Sequence, residues 1–339
     1  MDNSVKTRLF KLLGLVILLA SLALGYLWKY TDSLLESRLL IPEQGVFLEI
    51  KSGDTFNSVS DKLFQAQIGP SRYWSRLIAL RFPELTQLKV AEYQLTPNMT
   101  YAEMLQMLTS GRGIDYAIRF IEGWTVKEAL AELNKHDALV KDVELSLDAI
   151  RALLNIEQSN IEGWLFPDTY YYSKNGLLSE LLKTMYQRMQ VSLNDAWAQR
   201  ATDVYLETPY ELLILASIIE KESALASERD VISGVFHRRL QLGMRLQTDP
   251  TVIYGLGPDF DGDIRRRDLR ARTPYNTYVI KGLPPTPIAL PSQESLLAAA
   301  QPAAGTALYF VSRGDGSHVF SDTLEQHNRA VRKYQLGKN

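Results

Sequence analysis

The 339-residue chain contains no cysteine. That absence excludes disulfides and lipoprotein attachment, and it leaves a large core to hold the fold together. Excess charge is missing too: the formal net charge is −2, so no global basic field points to nucleic acid. Histidine is scarce and scattered, at His136, His237, His318 and His327, and the last two lie nine residues apart, which is not a zinc spacing. Neither a G-x-S-x-G elbow nor a phosphate loop occurs. Asp259, Asp261 and Asp263 begin like a calcium loop, but Ile264 holds the glycine position and Arg270 the bidentate-acid position. No metal and no cofactor is expected.

What is present begins with one apolar run. Leu12 to Trp28 gives 17 uncharged residues, at the lower limit for a membrane-spanning helix. Lys6, Arg8 and Lys11 precede it, and Trp28 and Tyr30 stand at its far end as interfacial anchors. The positive-inside bias predicts a cytoplasmic tail (1–11), an anchor (12–29) and everything else outside. A cleaved signal peptide is the rival, since Ala23-Leu24-Gly25 is a small-x-small site.

Length beyond the anchor suggests at least two domains. Residues 30–45 read as a juxtamembrane linker ending at Pro42 and Gly45. Val46–Ile50 is a predicted strand, Lys51–Thr55 a turn, Phe56–Phe64 and Arg72–Leu80 are helices, and Ala91–Leu95 is a second strand. This strand-helix-helix-strand order over residues 46–112 looks like a LysM-type module, a fold associated with N-acetylglucosamine polymers; a plain packing or spacing domain is the alternative. Capping boxes at Thr100–Glu103 and Thr125–Glu128 start helices on either side of a strand at Tyr116–Ile121. The fold class is therefore α+β, with a larger mixed α/β domain at 113–339 after the small module.

The chemistry centres on one helix. Thr208-Pro209-Tyr210-Glu211 is an N-cap, an N1 proline and an N3 glutamate. An apolar stretch from Leu212 to Ile219 follows and ends in Glu220-Lys221-Glu222-Ser223. Glu220 and Glu222 are about 200° apart around a helix axis, so they cannot pair on one face. Glu220 shares its face with Leu213, Ala216 and Ser217, small enough in part for something to approach. A carboxyl against aliphatic carbon resists ionising, as a general acid for a sugar linkage must. The structural alternative is an ion pair with Arg229 or Arg245.

Other segments offer binding chemistry. Between Glu162 and Tyr172, Trp164, Phe166 and three tyrosines surround Pro167; they could face a pyranose ring or pin a loop from the core. Gln247-Thr248-Asp249 could hydrogen-bond sugar hydroxyls or form a turn before Pro250. Ser227 is a predicted N-cap, after a polar connection from Ala224, for a helix over 228–240. The run Arg265 to Arg272 is a solvated face by default, with an anionic ligand as the second reading.

These blocks carry a resemblance. Glu162-Gly163-Trp164-Leu165-Phe166-Pro167-Asp168-Thr169-Tyr170, Glu220-Lys221-Glu222-Ser223 and Leu246-Gln247-Thr248-Asp249-Pro250-Thr251 are similar to an endolytic murein transglycosylase of the YceG-like (MltG) family. Tyr275-Asn276-Thr277-Tyr278, Gly282-Leu283-Pro284-Pro285, and His318-Val319-Phe320-Ser321 with Glu325-Gln326-His327-Asn328 follow in the family's order. Arg238, Thr286 and Leu290 depart from its usual asparagine, glycine and asparagine. The resemblance implies a single-pass inner-membrane enzyme with a periplasmic catalytic domain. It would cut nascent peptidoglycan between MurNAc and GlcNAc, leave 1,6-anhydroMurNAc ends and limit strand length. Penicillin-binding synthases are its implied partners. By that resemblance Glu220 is the acid and base; the candidate substrate-binding residues are Gln247, Thr248, Asp249, Tyr275, Asn276, Trp164 and Asp168. A hydrolytic muramidase would need a second carboxylate from Asp168, Glu222 or Asp249. A non-catalytic peptidoglycan scaffold would tolerate Glu220→Gln.

Overall fold

The computed structural model describes residues 3–223 and 225–337, with side chains from residue 11 onward. Ala224, the chain termini and the side chains of Lys6 and Arg8 lie outside the described residues. The chain divides into two compact units, Met1–Tyr116 with Ser173–Asn175, and Ala117–Tyr172 with Gly176–Asn339.

The first unit opens with α1 (Asn3–Glu36), whose segment from Lys11 onward is long and apolar enough to cross a membrane. The helix does not stop at Trp28. Its last polar turns, within the expected linker, stay helical because no proline or glycine intervenes before Pro42 and because Arg81 binds Trp28 O and Thr31 Oγ1, each at 2.7 Å. Then come β1 (Val46–Ile50), α2 (Phe56–Gln65), α3 (Arg72–Arg81), β2 (Ala91–Leu95) and α4 (Tyr101–Ser110). β1 and β2 pair antiparallel with Val46 opposite Leu95 and Leu48 opposite Tyr93. The period-2 alternation puts Leu48, Ile50, Ala91, Tyr93 and Leu95 inward, against Val59, Leu63, Ile78, Met104 and Leu108. Thr55 caps α2 in a box with Ser58, and Thr100 caps α4 with Glu103.

β3 (Asp115–Arg119) and β4 (Thr169–Ser173) form a two-stranded sheet. Between them lie α5 (Val126–Asn134), boxed by Thr125 and Glu128, and α6 (Leu147–Leu154). Next are α7 (Leu178–Ala198) and α8 (Pro209–Glu222), with the Thr208–Glu211 box and Pro209 in its first turn as read from sequence. Every residue of α8 from Leu212 to Ile219 is buried, because α7, α9 (Arg229–Gln241), α10 (Asp249–Leu256) and α11 (Gln293–Ala300) pack around it. A helix enclosed on all sides needs no polar stripe. A hairpin of β5 (Tyr309–Ser312) and β6 (His318–Ser321) and then α12 (Leu324–Tyr334) end the chain. Ser227 does not cap α9: it lies inside a 3₁₀ turn, Ala226–Glu228, that leads directly into the helix.

Candidate active site

α8 delivers its two terminal acids to different surroundings, as their angular separation requires. Glu220 points toward the start of α11. Its Oε2 accepts from Ser292 N at 2.9 Å, from Ser295 Oγ at 2.7 Å and from Ser292 Oγ, and its Oε1 accepts from Arg229 Nη2 at 3.3 Å. The pair is enclosed, with side-chain exposures of 6% for Glu220 and 14% for Arg229. The expected aliphatic setting is therefore wrong in detail: aliphatic neighbours line the helix behind Glu220, while its carboxylate ends among hydroxyls, an N–H and a guanidinium. The small residues on its face do admit something. It is the chain itself: Ser217 Oγ accepts from Ile288 N at 3.0 Å and α11 packs alongside.

Glu222 turns the other way, onto a cavity of about 460 Å³ whose lining includes Gln247, Asp249, Tyr278, Tyr309 and His318. Glu220 is not part of that lining. Thr248, buried at the head of α10, donates its hydroxyl to Glu222 Oε1. Burial pushes Glu222 up to about 7, the Thr248 hydrogen bond opposes it, and the charge of Asp249 adds to the rise. Tyr278 donates to Asp249 Oδ1 at 2.6 Å, and burial together with that bond pushes the phenol up. On the far wall, Glu228 accepts from the His318 main-chain N at 3.0 Å and from Nδ1 at 2.7 Å, which fixes the ring's orientation.

The floor is held by cation and carbonyls. Arg239, buried, donates to Leu246 O at 2.7 Å and Leu308 O at 2.6 Å and stacks under Tyr309 at 5.1 Å. Gln247 takes the left-handed conformation at φ 52° and donates its N–H to Thr277 O, while Thr248 N donates to Thr277 Oγ1 at 3.0 Å. The Leu246–Thr251 and Tyr275–Tyr278 segments therefore form one bracketed loop pair behind Glu222.

The other expected ligands fall elsewhere. Trp164 is buried and stacked on Tyr210 at 5.9 Å, so this ring is a core wall and offers no face to a sugar. Phe166, Tyr170 and Tyr172 are buried with it, and only Tyr171 of that aromatic segment is widely exposed. Asp168 pairs with Arg188 and caps Thr169 N at 2.6 Å, away from the cavity. Asn276 is buried and donates to Asp268 O and Ala271 O, bracing its loop. Tyr275 bonds Thr286 Oγ1 at 2.9 Å and meets Tyr254 edge-on. Gln247, Thr248 and Asp249 thus stand at the cavity, whereas Trp164, Asp168, Tyr275 and Asn276 do not line it.

The departures from the family pattern have local explanations. Arg238 ties down the 303–307 loop through Ala303 O and Ala307 O. Thr286 holds Tyr275, and Leu290 is fully buried with its main chain paired to Gly123 and Trp124. The basic run keeps Arg265, Arg266, Arg267, Arg270 and Arg272 exposed, with Arg265 paired to Asp261. Among the described residues no cluster of three or more His, Asp or Glu groups is disposed to hold a metal.

The sequence named Glu222 only as a possible second carboxylate and Tyr278 and His318 only within motif blocks; that they share one cavity with Arg239 and Tyr309 is a tertiary fact without a local signal.

Fold and site together define a protein of mixed α and β structure with an acid on the wall of an open cleft rich in rings, amides and hydroxyls. The chain belongs to the YceG-like family, which matches residues 48–333. A Bacillus subtilis protein named endolytic murein transglycosylase is 29% identical over 94% of this chain and 92% of its own length. A Streptococcus pneumoniae protein of the same name is 25% identical over 76% of this chain, which spans only 53% of that relative. A crystal structure of a YceG-like protein from Listeria monocytogenes covers 85% of this chain and all of that one, with a TM-score of 0.54 and 25% identity.

Proposed function

We propose that this chain is an endolytic murein transglycosylase that cuts peptidoglycan strands between MurNAc and GlcNAc, with Glu222 as its acid and base. The observation that carries this is Glu222 itself: half-buried, hydrogen-bonded by Thr248, facing an open cavity, and pushed up to about 7. At neutral pH such a group exists in both protonation states, as one residue serving two opposite proton transfers requires. Neutral Glu222 gives its proton to the glycosidic oxygen as the bond from MurNAc C1 to that oxygen breaks. The carboxylate then takes the proton of the MurNAc 6-hydroxyl as O6 bonds to C1. Atoms balance with no water consumed, and the product is a 1,6-anhydro end.

This moves the acid and base role from Glu220 to Glu222. Among the described residues, the donors to Glu220 are Ser292, Ser295 and Arg229, which suits a carboxylate that holds α11 against α8. Two further readings remain to be separated by experiment. Glu220 is the expectation from the family resemblance. A hydrolytic muramidase draws support from Asp249, a second carboxylate lining the same cavity as Glu222. The name shared by the two relatives favours transglycosylation over hydrolysis.

The test is mass spectrometry of peptide-bearing glycan strands digested by wild type, Glu222→Gln and Glu220→Gln. Anhydro ends lost only with Glu222→Gln support the assignment; loss only with Glu220→Gln returns the role to that residue; reducing ends from wild type replace transglycosylation by hydrolysis.

The proposal includes the setting. Residues from Lys11 along α1 form a single-pass anchor with the N-terminus cytoplasmic and the cleft periplasmic. The strand-helix-helix-strand module is read as LysM-like and nascent strands as the substrate, so cleavage would limit strand length.

A further inference from the structure

The first unit carries an apolar surface that its own core does not use. α3 buries Ser75 and Ile78 inward. Its outer apolar stripe is Tyr73, Leu77 and Leu80, spaced i, i+4 and i+7, with Leu77 half-buried and Tyr73 78% and Leu80 81% exposed. In water that stripe leaves large apolar groups uncovered.

Its position against α1 says what covers it. At 1.5 Å per residue, about 20 residues cross a hydrocarbon core of about 30 Å, which from Leu12 reaches Thr31. An apolar recess of about 500 Å³ lies between the two helices, lined by Leu24, Leu27, Leu77, Leu80 and Phe82 among others. Leu24 and Leu27 belong to the apolar run. Leu77, Leu80 and Phe82 therefore sit level with the run's final turns. The boundary is marked by interfacial chemistry: the Arg81 guanidinium lies 4.3 Å from the Trp28 ring and binds Thr31 and Asp32, and Trp74 packs 4.2 Å from Tyr30. Arg76 is exposed on the same helix, where lipid phosphates would meet it, and Arg72, one turn earlier, is exposed while paired with Asp61 at 3.8 Å.

We propose that α3 lies in the bilayer interface as an in-plane amphipathic helix, and that lipid acyl chains fill its recess against α1. The partner is the membrane from which α1 emerges. This rests on reading α1 as an anchor, and it adds to it: the first unit is seated on the lipid surface through two helices and does not hang from one.

The cysteine-free chain suits a direct test. Full-length protein carrying a single spin-labelled cysteine is placed in phosphatidylethanolamine–phosphatidylglycerol nanodiscs, and collision rates with oxygen and with a water-soluble nickel chelate are compared. Leu19→Cys reports the anchor, Leu77→Cys and Leu80→Cys report α3, and Leu242→Cys, exposed in the second unit, is the aqueous reference. The expected oxygen-to-nickel ratio at Leu77 and Leu80 is severalfold above that at Leu242 and below that at Leu19. Lipid depth at Leu19 with an aqueous ratio at both α3 positions overturns the proposal alone. An aqueous ratio at Leu19 overturns the anchor reading, and the proposal with it.

Discussion

Replacing Glu222 by glutamine should cut turnover sharply and stabilise the fold at alkaline pH, an unusual combination that separates a working acid from a structural one. Burial lifts Glu222 from 4.5 to about 7, and at about 1.4 kcal/mol per pH unit its ionisation in the folded state costs at most about 3 kcal/mol. Solvent reaching the carboxylate through the cavity trims that figure. The folded value lies above the unfolded one, so the cost is absent below pH 4.5, grows as pH rises, and is complete above about 7. Glutamine never ionises and keeps an acceptor for Thr248. Urea unfolding of wild type and Glu222→Gln in the same membrane mimetic should therefore give similar stabilities at pH 4. At pH 8 the variant should be the more stable, by up to about 3 kcal/mol. The rate of anhydro-end formation should fall by about 10² to 10⁴, the usual worth of a general acid and base. Wild-type kcat/KM should decline above about pH 7, where Glu222 loses the proton that opens the first step. Anhydro ends formed by Glu222→Gln at the wild-type rate would refute the reasoning, whatever the stability data show.

Glu220→Gln should lower stability by about 1–3 kcal/mol by leaving Arg229 without its enclosed counter-charge, with turnover still measurable; an unchanged urea midpoint alongside lost turnover would contradict this. Thr208→Ala should cost about 1 kcal/mol by removing the side-chain cap of α8, read from thermal unfolding, and an unchanged midpoint would count against the cap. Gly163→Ala should destabilise by about 1–3 kcal/mol: the residue sits at φ +82°, and a new Cβ would lie 2.6 Å from Pro287 Cβ. If calorimetry shows no change there, the contact between that turn and Pro287 is misjudged.

Much of the fold was legible because it is local. Val46–Ile50 and Ala91–Leu95 alternate between core and solvent, and the boxes at Thr100, Thr125 and Thr208 satisfy orphan N–H groups within three residues. Such signals survive in the sequence because period and capping depend on near neighbours. The aromatic segment after Glu162 was not legible in the same way. A ring beside a proline serves a core as readily as a cleft, and only the stacking of Trp164 on Tyr210 distinguishes the two.

The acids show the division most clearly. Sequence alone determined that α8 ends in two glutamates on opposite faces, since that follows from the helical repeat. It also determined an N-terminal run long and apolar enough for a membrane. Which acid faces a cavity was decided by the tertiary fold. α11 begins about 70 residues beyond Glu220 and fills that face with Ser292 and Ser295. The loop after α9 and the β6 strand leave Glu222 at an opening with Thr248, Asp249 and His318. A carboxyl's chemistry is set by what surrounds it in space, and those surroundings arrive from segments far along the chain.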